Sequence, residues 1–132
     1  MRKLCADFHT HTTYCDGKST PRQMVEAAYS MGLTDFGISG HADYSMWEPG
    51  FGMSDAILSA YKQELEILRE EYAGKMNIYI GIELDTLGPV QQAEYAIGST
   101  HSVLKDGHLV TVDDTEEKLV QAVETLWNGD WY

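Results

Sequence analysis

The sequence predicts an α/β fold in which helices flank a parallel sheet. Short apolar, strand-like segments alternate along the chain with segments that show helical spacing. The predicted order is strand, helix, strand, helix, strand, strand, helix, which is typical of parallel sheets. Hydrophobic residues make up 43% of the 132 residues, so the chain suits one domain with a packed core.

Two strands and one helix are predicted in the first part of the chain. Residues 4–9 form a short mixed segment that is compatible with a first strand. A helix follows between Thr20 and Gly32, because Thr20 can cap its first turn and glycine favours a helix end. Gln23 can complete a capping box with Thr20. Residues 35–41 then have the apolar character of a second strand.

The second part of the chain contains the longest predicted helix. In residues 54–74, apolar side chains recur every three to four positions, which places them on one face. Residues 77–84 and 95–101 are predicted strands. Residues 108–112 are predicted to form either a short extra strand or a loop, and Thr115 to cap a last helix.

Composition and charge narrow the classes of function. The formal net charge is −12 with nine Lys and Arg residues, so a basic face for general nucleic-acid binding is not expected. No apolar run approaches the ~20 residues that cross a bilayer, and the N-terminus lacks the apolar core of a signal peptide. Cys5 and Cys15 are expected to be reduced thiols. We therefore predict a cytoplasmic protein without nucleic-acid or membrane partners.

Histidines and a glutamate stand where the predicted strands end. His9 and His11 form an HxH pair, and residues i and i+2 of an extended segment face the same side, with Thr10 pointing away. The later strands end in or near His41, Glu83 and His101. Because the carboxyl ends of parallel strands meet at one edge of a sheet, these side chains are expected to converge.

Each of these residues also has a purely structural explanation. Paired histidines can hydrogen-bond within a loop, and Asp16, which precedes Gly17, can be a turn residue. His41 and His101 can be core or cap residues, and Glu83 can face solvent. A carboxylate in so apolar a strand is nevertheless costly unless it is paired or metal-bound. Chance is the weaker explanation for four strand ends, and imidazole with carboxylate suits Zn, Mn or Fe.

Other polar and aromatic residues near these positions are less decisive. The acids that flank the motifs either orient imidazoles or are plain surface acids, and they are Asp7, Asp43 and Asp85. His108 is interpreted as a surface turn residue. Residues 42–53 are rich in Gly and aromatic residues, and we predict a mobile loop that covers a substrate with Trp47 and Phe51.

Four ordered motifs resemble those of the PHP (polymerase and histidinol phosphatase) family. The motifs are DFHTHTTYCDG at residues 7–17, GISGHA at 37–42, GIELD at 81–85 and IGSTHS at 97–102. The resemblance runs nearly from end to end, and the first two motifs are most similar to the histidinol-phosphatase branch. It implies the N-terminal part of a distorted (β/α)7 barrel that holds up to three divalent transition-metal ions (Zn, Mn or Fe).

The resemblance also implies a set of ligands. The HxH pair would bind one metal ion. Glu83 would bridge to a second ion that His101 also binds, and Asp16 and His41 would bind a third. The predicted metal ligands are therefore His9, His11, Asp16, His41, Glu83 and His101. Glu83, His41 and Asp16 are also the predicted catalytic residues.

The family pattern extends further than this sequence. Family members are longer and carry another metal-binding histidine and a late Asp-x-His motif, which have no counterpart after His101. Residues 1–132 are therefore expected to form a partial PHP domain without the C-terminal part of the barrel. The open barrel face is expected to be exposed, filled by self-association or covered by a second chain, and little phosphatase activity is expected from the chain alone.

The implied activity is hydrolysis of a phosphate monoester, with L-histidinol phosphate of histidine biosynthesis as the expected substrate. One alternative is a PHP phosphoesterase for another small phosphate, such as a nucleotide or a sugar phosphate. An amidohydrolase also uses an HxH pair on its first barrel strand, although Asp16 and Glu83 fit that family less well. A non-catalytic metal-binding or subunit-interaction module is the remaining alternative.

Overall fold

Four strands form the main sheet, and they lie side by side in the order β1-β2-β3-β4. The computed structural model describes residues 5–46, 48, 50–112 and 114–130. The strands are β1 (Ala6–Asp7), β2 (Asp35–Ile38), β3 (Asn77–Asp85) and β4 (Tyr95–Ser99). The sheet is parallel and curls as half a barrel, so the predicted α/β class is confirmed. Leu4, the first residue of the predicted first strand, lies outside the described residues.

Two capped helices belong to this sheet. Helix α1 (Pro21–Ser30) begins after Thr20, whose hydroxyl accepts a hydrogen bond from Gln23 N at 3.3 Å. Gln23 Oε1 accepts from Thr20 N at 2.9 Å, so the predicted capping box is confirmed. Helix α2 (Asp55–Glu71) begins after Ser54, as the sequence predicts.

The core lies between these helices and one face of the sheet. Because side chains alternate along a strand, β2 and β3 direct one set of apolar residues toward the helices. These strand residues are Phe36, Ile38, Ile78, Ile80 and Ile82, and all five are buried. Leu58, Tyr61, Leu65 and Leu68 of α2 face the same core. Glu83 follows Ile82 in β3, so its side chain lies on the opposite face of the sheet.

A second compact unit begins at Ser99, and the first unit runs through Gly98. In the second unit, β5 (Ser102–Lys105) pairs antiparallel with β6 (His108–Thr111), and α3 (Glu116–Leu126) packs against β6. Residues 108–112 are thus a strand for most of their length, and the sequence did not predict β5. Helices α1 and α2 pack on the sheet within the first unit, and α3 packs on the hairpin within the second. Across the described residues, no helix combines the length and apolarity needed to cross a membrane.

Candidate metal centre

A tight loop after β1 carries the HxH pair and the first candidate carboxylate. Cys15 N and Gly17 N both donate to Thr12 O at 3.0 Å, which closes the loop. A Cβ atom on Gly17 would lie 2.5 Å from Thr12 N, so the close approach of the two backbones requires glycine. The turn brings Asp16 back toward the HxH pair, with Asp16 Oδ1 3.3 Å from His11 Nδ1.

Thr10 fixes the direction of the two histidines beside it. Its hydroxyl donates to Gly37 O at 2.9 Å, and its own carbonyl accepts from Ser39 N at 2.9 Å. Thr10 therefore turns toward β2, and its predicted direction away from the histidines is confirmed. The rings of His9 and His11 lie with their centroids 5.3 Å apart.

His41 and Glu83 face each other across a short continuation of the sheet. Pairing of β2 with β3 ends at Ile38, and it resumes as an isolated parallel bridge between His41 and Glu83. Ala42 N donates to Glu83 O at 2.8 Å, and Glu83 N donates to Gly40 O at 3.0 Å. Both side chains are buried, with exposures of 8% for His41 and 4% for Glu83.

Three imidazole nitrogens surround a single oxygen of Glu83. The distances to Glu83 Oε2 are 3.1 Å from His9 Nε2, 3.2 Å from His11 Nε2 and 3.3 Å from His41 Nδ1. The carboxylate is nearly removed from water, and its charge therefore needs compensation within the protein or from a bound cation. Without a bound cation, such a cluster of polar groups on this face of the sheet would lower the stability of the fold.

Asp16 closes a second group beside the first. Its carboxylate oxygens lie 3.3 Å from His11 Nδ1 and 3.5 Å from His41 Nε2. Burial acts to raise the pKa of Asp16, but a hydrogen bond from Cys15 and the charges of His41 and His11 outweigh it, so the pKa is lowered. Asp16 is therefore ionised at neutral pH, as a metal ligand must be.

The two groups fit divalent metal ions. In each of the sets His9-His11-Glu83 and His11-Asp16-His41, one candidate ligand atom per residue lies within 4.8 Å of the others. Two ligands about 2.1 Å from one ion in tetrahedral geometry are separated by about 3.4 Å. The observed nitrogen–oxygen separations of 3.1–3.5 Å approach that value. Nitrogen and carboxylate donors suit divalent transition metals, and the identity of the metal stays a prediction.

Loop 42–53 leaves the site and returns to it at a narrow neck. Ala42 and Met53 form a parallel bridge, and Met53 N donates to His41 O at 3.0 Å. Phe51 lies against His41, with ring centroids 4.7 Å apart. Trp47, the other aromatic residue predicted to cover a substrate, lies outside the described residues. The covering role of the loop stays a prediction.

Two of the acids that flank the motifs contact backbone N–H groups. Asp7 Oδ1 accepts from the backbone N–H of His9 at 3.1 Å, and Asp43 Oδ1 accepts from Ser45 N at 2.9 Å. Both carboxylates thus support loop backbone. His101 belongs to the second unit, where its Nε2 lies 3.2 Å from Ser99 Oγ, and its role as a ligand stays a prediction.

No role in the site was predicted for Cys15. Its thiol lies 3.6 Å from His11 Nδ1 and 3.6 Å from Thr12 O. Burial raises the pKa of this thiol, so it is protonated at neutral pH and acts as a weak hydrogen-bonding group beside His11. Its position between the HxH pair and Asp16 in the first motif was the available signal.

Comparison with known proteins places the chain in a family. The family model described as PHP domain matches residues 7–126. The chain belongs to the PHP family. A histidinol-phosphatase of Bacillus subtilis is 28% identical over 114 residues, a match that covers 80% of this PHP chain and 42% of that protein. The chain spans less than half the length of the curated relatives it matches.

Solved structures show the same fold. A Listeria monocytogenes protein proposed to be the histidinol phosphatase HisK aligns with a TM-score of 0.73 at 23% identity, covering 88% of this chain and 53% of that one. The histidinol phosphate phosphatase of Lactococcus lactis, solved with Zn, L-histidinol and phosphate, aligns with a TM-score of 0.62 at 24% identity. That match covers 92% of this chain and 51% of the other.

Proposed function

We propose that this PHP chain provides the metal-binding part of a phosphatase that hydrolyses a phosphate monoester, with L-histidinol phosphate as the substrate. The observation that carries the proposal is the gathering of three imidazole nitrogens around the buried oxygen of Glu83, with Asp16 on the far side of two of the rings. The relative named histidinol-phosphatase supports the choice of substrate.

Charge explains why such a site would select a phosphate ester. The chain has a formal net charge of −12, which by itself repels anions. Divalent ions would supply Lewis acidity toward the phosphoryl oxygens and activate water for attack on phosphorus. Bound cations would then make this site a local region of positive charge that binds a small anionic ester.

The residues of the chain would have distinct roles around those ions. Glu83 is buried and lies within 3.3 Å of three histidine rings, so its carboxylate would hold metal together with those histidines. His41 is held on both ring nitrogens, at 3.3 Å from Glu83 and 3.5 Å from Asp16, which sets its orientation. Asp16 has a lowered pKa and half-exposed side chain, so it would present negative charge at the mouth of the site.

Metal content tests the first part of the proposal. Protein purified without chelator should contain Zn, Mn or Fe above background, and the double variant His9→Ala, His11→Ala should contain at least about tenfold less. His108→Ala is the matched control, because it removes an exposed histidine of the hairpin. Equal metal content in the double variant and the control would show that the HxH pair does not bind metal in the proposed centre.

Phosphate release tests the substrate. A PHP protein that carries this domain with the rest of its barrel should hydrolyse L-histidinol phosphate with a higher kcat/KM than nucleotide or sugar monophosphates. Comparable kcat/KM values would favour a PHP phosphoesterase for another small phosphate. Metal binding without any turnover would favour a non-catalytic module. Self-association of the 132-residue chain stays a separate prediction, which its mass in light scattering would test.

A further inference from the structure

We propose that Gln91 is a positioning residue that fixes the neck of loop 42–53 and, through that neck, the orientation of His41. This inference rests on the metal centre proposed above. Gln91 lies in the coil between β3 and β4, outside the predicted motifs, and its side chain is partly buried.

The side-chain amide of Gln91 joins three points around the neck of the loop. Its Oε1 accepts a hydrogen bond from Asp43 N at 2.8 Å. Its Nε2 donates to Met53 O at 3.2 Å and to Asp55 Oδ1 at 2.8 Å. One amide therefore contacts the beginning of loop 42–53, its end, and the first turn of α2.

The neck that Gln91 holds is directly attached to His41. Met53, whose carbonyl accepts from Gln91, donates its own N–H to His41 O at 3.0 Å. Asp43 follows His41 by two residues, and the bridge between Ala42 and Met53 lies between these contacts. A shift of the neck would therefore move the backbone of His41, and with it the ring that faces Glu83 and Asp16.

The coil that carries Gln91 is itself anchored to α2, so the amide has a fixed base. Lys62 Nζ donates to the carbonyl of Gln92 at 2.5 Å. The contact with Asp55 adds a second attachment to the same helix. We call the Gln91 side chain, with its three hydrogen-bond partners, the latch. It is anchored on α2 and holds loop 42–53, whose Phe51 packs on His41.

Only an amide satisfies all three partners, because it combines an acceptor with two donors on one planar group. A carboxylate at position 91 would keep the bond from Asp43 N but lose both donated bonds. It would also face the carboxylate of Asp55 at the distance where an N–H···O bond now lies. Gln91→Glu is therefore a nearly isosteric way to open the latch.

A reversal of donor and acceptor provides the rescue. In the double variant Gln91→Glu, Asp55→Asn, the amide of residue 55 can donate to the carboxylate of residue 91, which still accepts from Asp43 N. Gln92→Glu is the matched control, because it introduces the same charge at the adjacent position, which is exposed. Two measurements are made on each protein: amide hydrogen exchange at Asp43 and Met53, and affinity for Co²⁺ by absorption titration.

We expect Gln91→Glu to exchange the Met53 amide at least about tenfold faster, and the Asp43 amide, whose acceptor is retained, by a smaller factor. We also expect this variant to bind Co²⁺ about tenfold more weakly. The double variant should recover part of both losses, because it restores the contact with residue 55 but not the bond to Met53 O, and Gln92→Glu should match the wild type. Unchanged exchange in Gln91→Glu, or a double variant no better than Gln91→Glu, would overturn the latch. Wild-type protein that binds no Co²⁺ would overturn the proposed centre instead, and faster exchange in Gln91→Glu would still support the latch itself.

Discussion

The two compact units of the chain differ in how much apolar surface they bury. In the first unit, fifteen hydrophobic residues form one buried core between the sheet and two helices. In the described part of the second unit, Ser102 is the one fully buried residue, and α3 contains none. The second unit instead leaves an open apolar groove of about 340 Å³ between its hairpin and its helix, lined by Val103, Val110, Leu119, Val123 and Trp127.

Because the first unit buries more apolar surface, we expect it to be the more stable of the two units. A helix packed on a sheet removes enough apolar area from water to offset the entropy of ordering the chain. A hairpin with one helix and half-exposed side chains has much less of that compensation. His9, His11, Asp16, His41 and Glu83 all lie in the unit with the larger core, which suits a site that depends on fixed distances.

The largest difference in stability between the two units is expected when one leucine in each is truncated. Leu65 is fully buried in the core, so Leu65→Ala should lower the free energy of unfolding by about 2–5 kcal/mol. Leu119 is only partly buried at the groove, so Leu119→Ala should cost less than about 1 kcal/mol. Urea unfolding followed by circular dichroism measures both. Equal losses would mean that the second unit has a core as effective as the first.

A pair of glycines tests how tightly the first unit is packed toward its end. A Cβ atom on Gly81 would lie 2.1 Å from the ring of Tyr95, whereas one on Gly98 would meet no atom within 4 Å. Gly81→Ala should therefore cost about 1–3 kcal/mol, because the Tyr95 ring has to move. Gly98→Ala should be neutral or slightly stabilising. A neutral Gly81→Ala in thermal unfolding would show that this ring is not closely packed on β3.

Much of the site was predictable because its signals are local. The HxH spacing sets the direction of two rings through the period of an extended chain, and strand ends in a parallel sheet meet at one edge. His41 and Glu83 were found in this way, and the structure brings both to the HxH pair. Asp16 required the resemblance, because its approach to His11 depends on a turn that an Asp-Gly pair alone does not specify.

What was missed depends on contacts between distant parts of the chain. Gln91 contacts Asp43 and Asp55 across 48 and 36 residues, and it lies in coil without periodicity, so no pattern marks it.

Strand β5 was also missed, although the sequence contained a local signal for it. Asp106 and Gly107, with φ of 49° and 79°, form a two-residue hairpin turn, and Asp-Gly between short apolar segments is typical of one. From the sequence, His108 was instead interpreted as a surface turn residue, whereas it is the first residue of β6.

The smallest test uses pH to compare one carboxylate from each unit. Glu94 accepts hydrogen bonds from Ile80 N at 2.9 Å and from Arg69 at 2.7 Å, and so connects β3 with α2. Burial acts to raise the pKa of Glu94, but these two partners outweigh it and leave the pKa lowered. In the second unit, the hydrogen bond from exposed Lys118 is the main cause of the lowered pKa of Asp114.

The sign of the effect follows from the lowered pKa of Glu94. The unfolded chain binds the proton more tightly, so the ionised carboxylate stabilises the fold above the ordinary value of 4.5, and this contribution is lost as pH falls through the folded pKa. Glu94→Gln should therefore be less stable than the wild type at pH 7, by less than about 1 kcal/mol because the side chain is partly exposed. The two proteins should converge in urea unfolding near pH 3. Asp114→Asn should differ less from the wild type, because the contact between Lys118 and Asp114 lies at the surface and is screened by solvent. A Glu94→Gln deficit that persists undiminished at pH 3 would show that the lost contact is steric and not electrostatic.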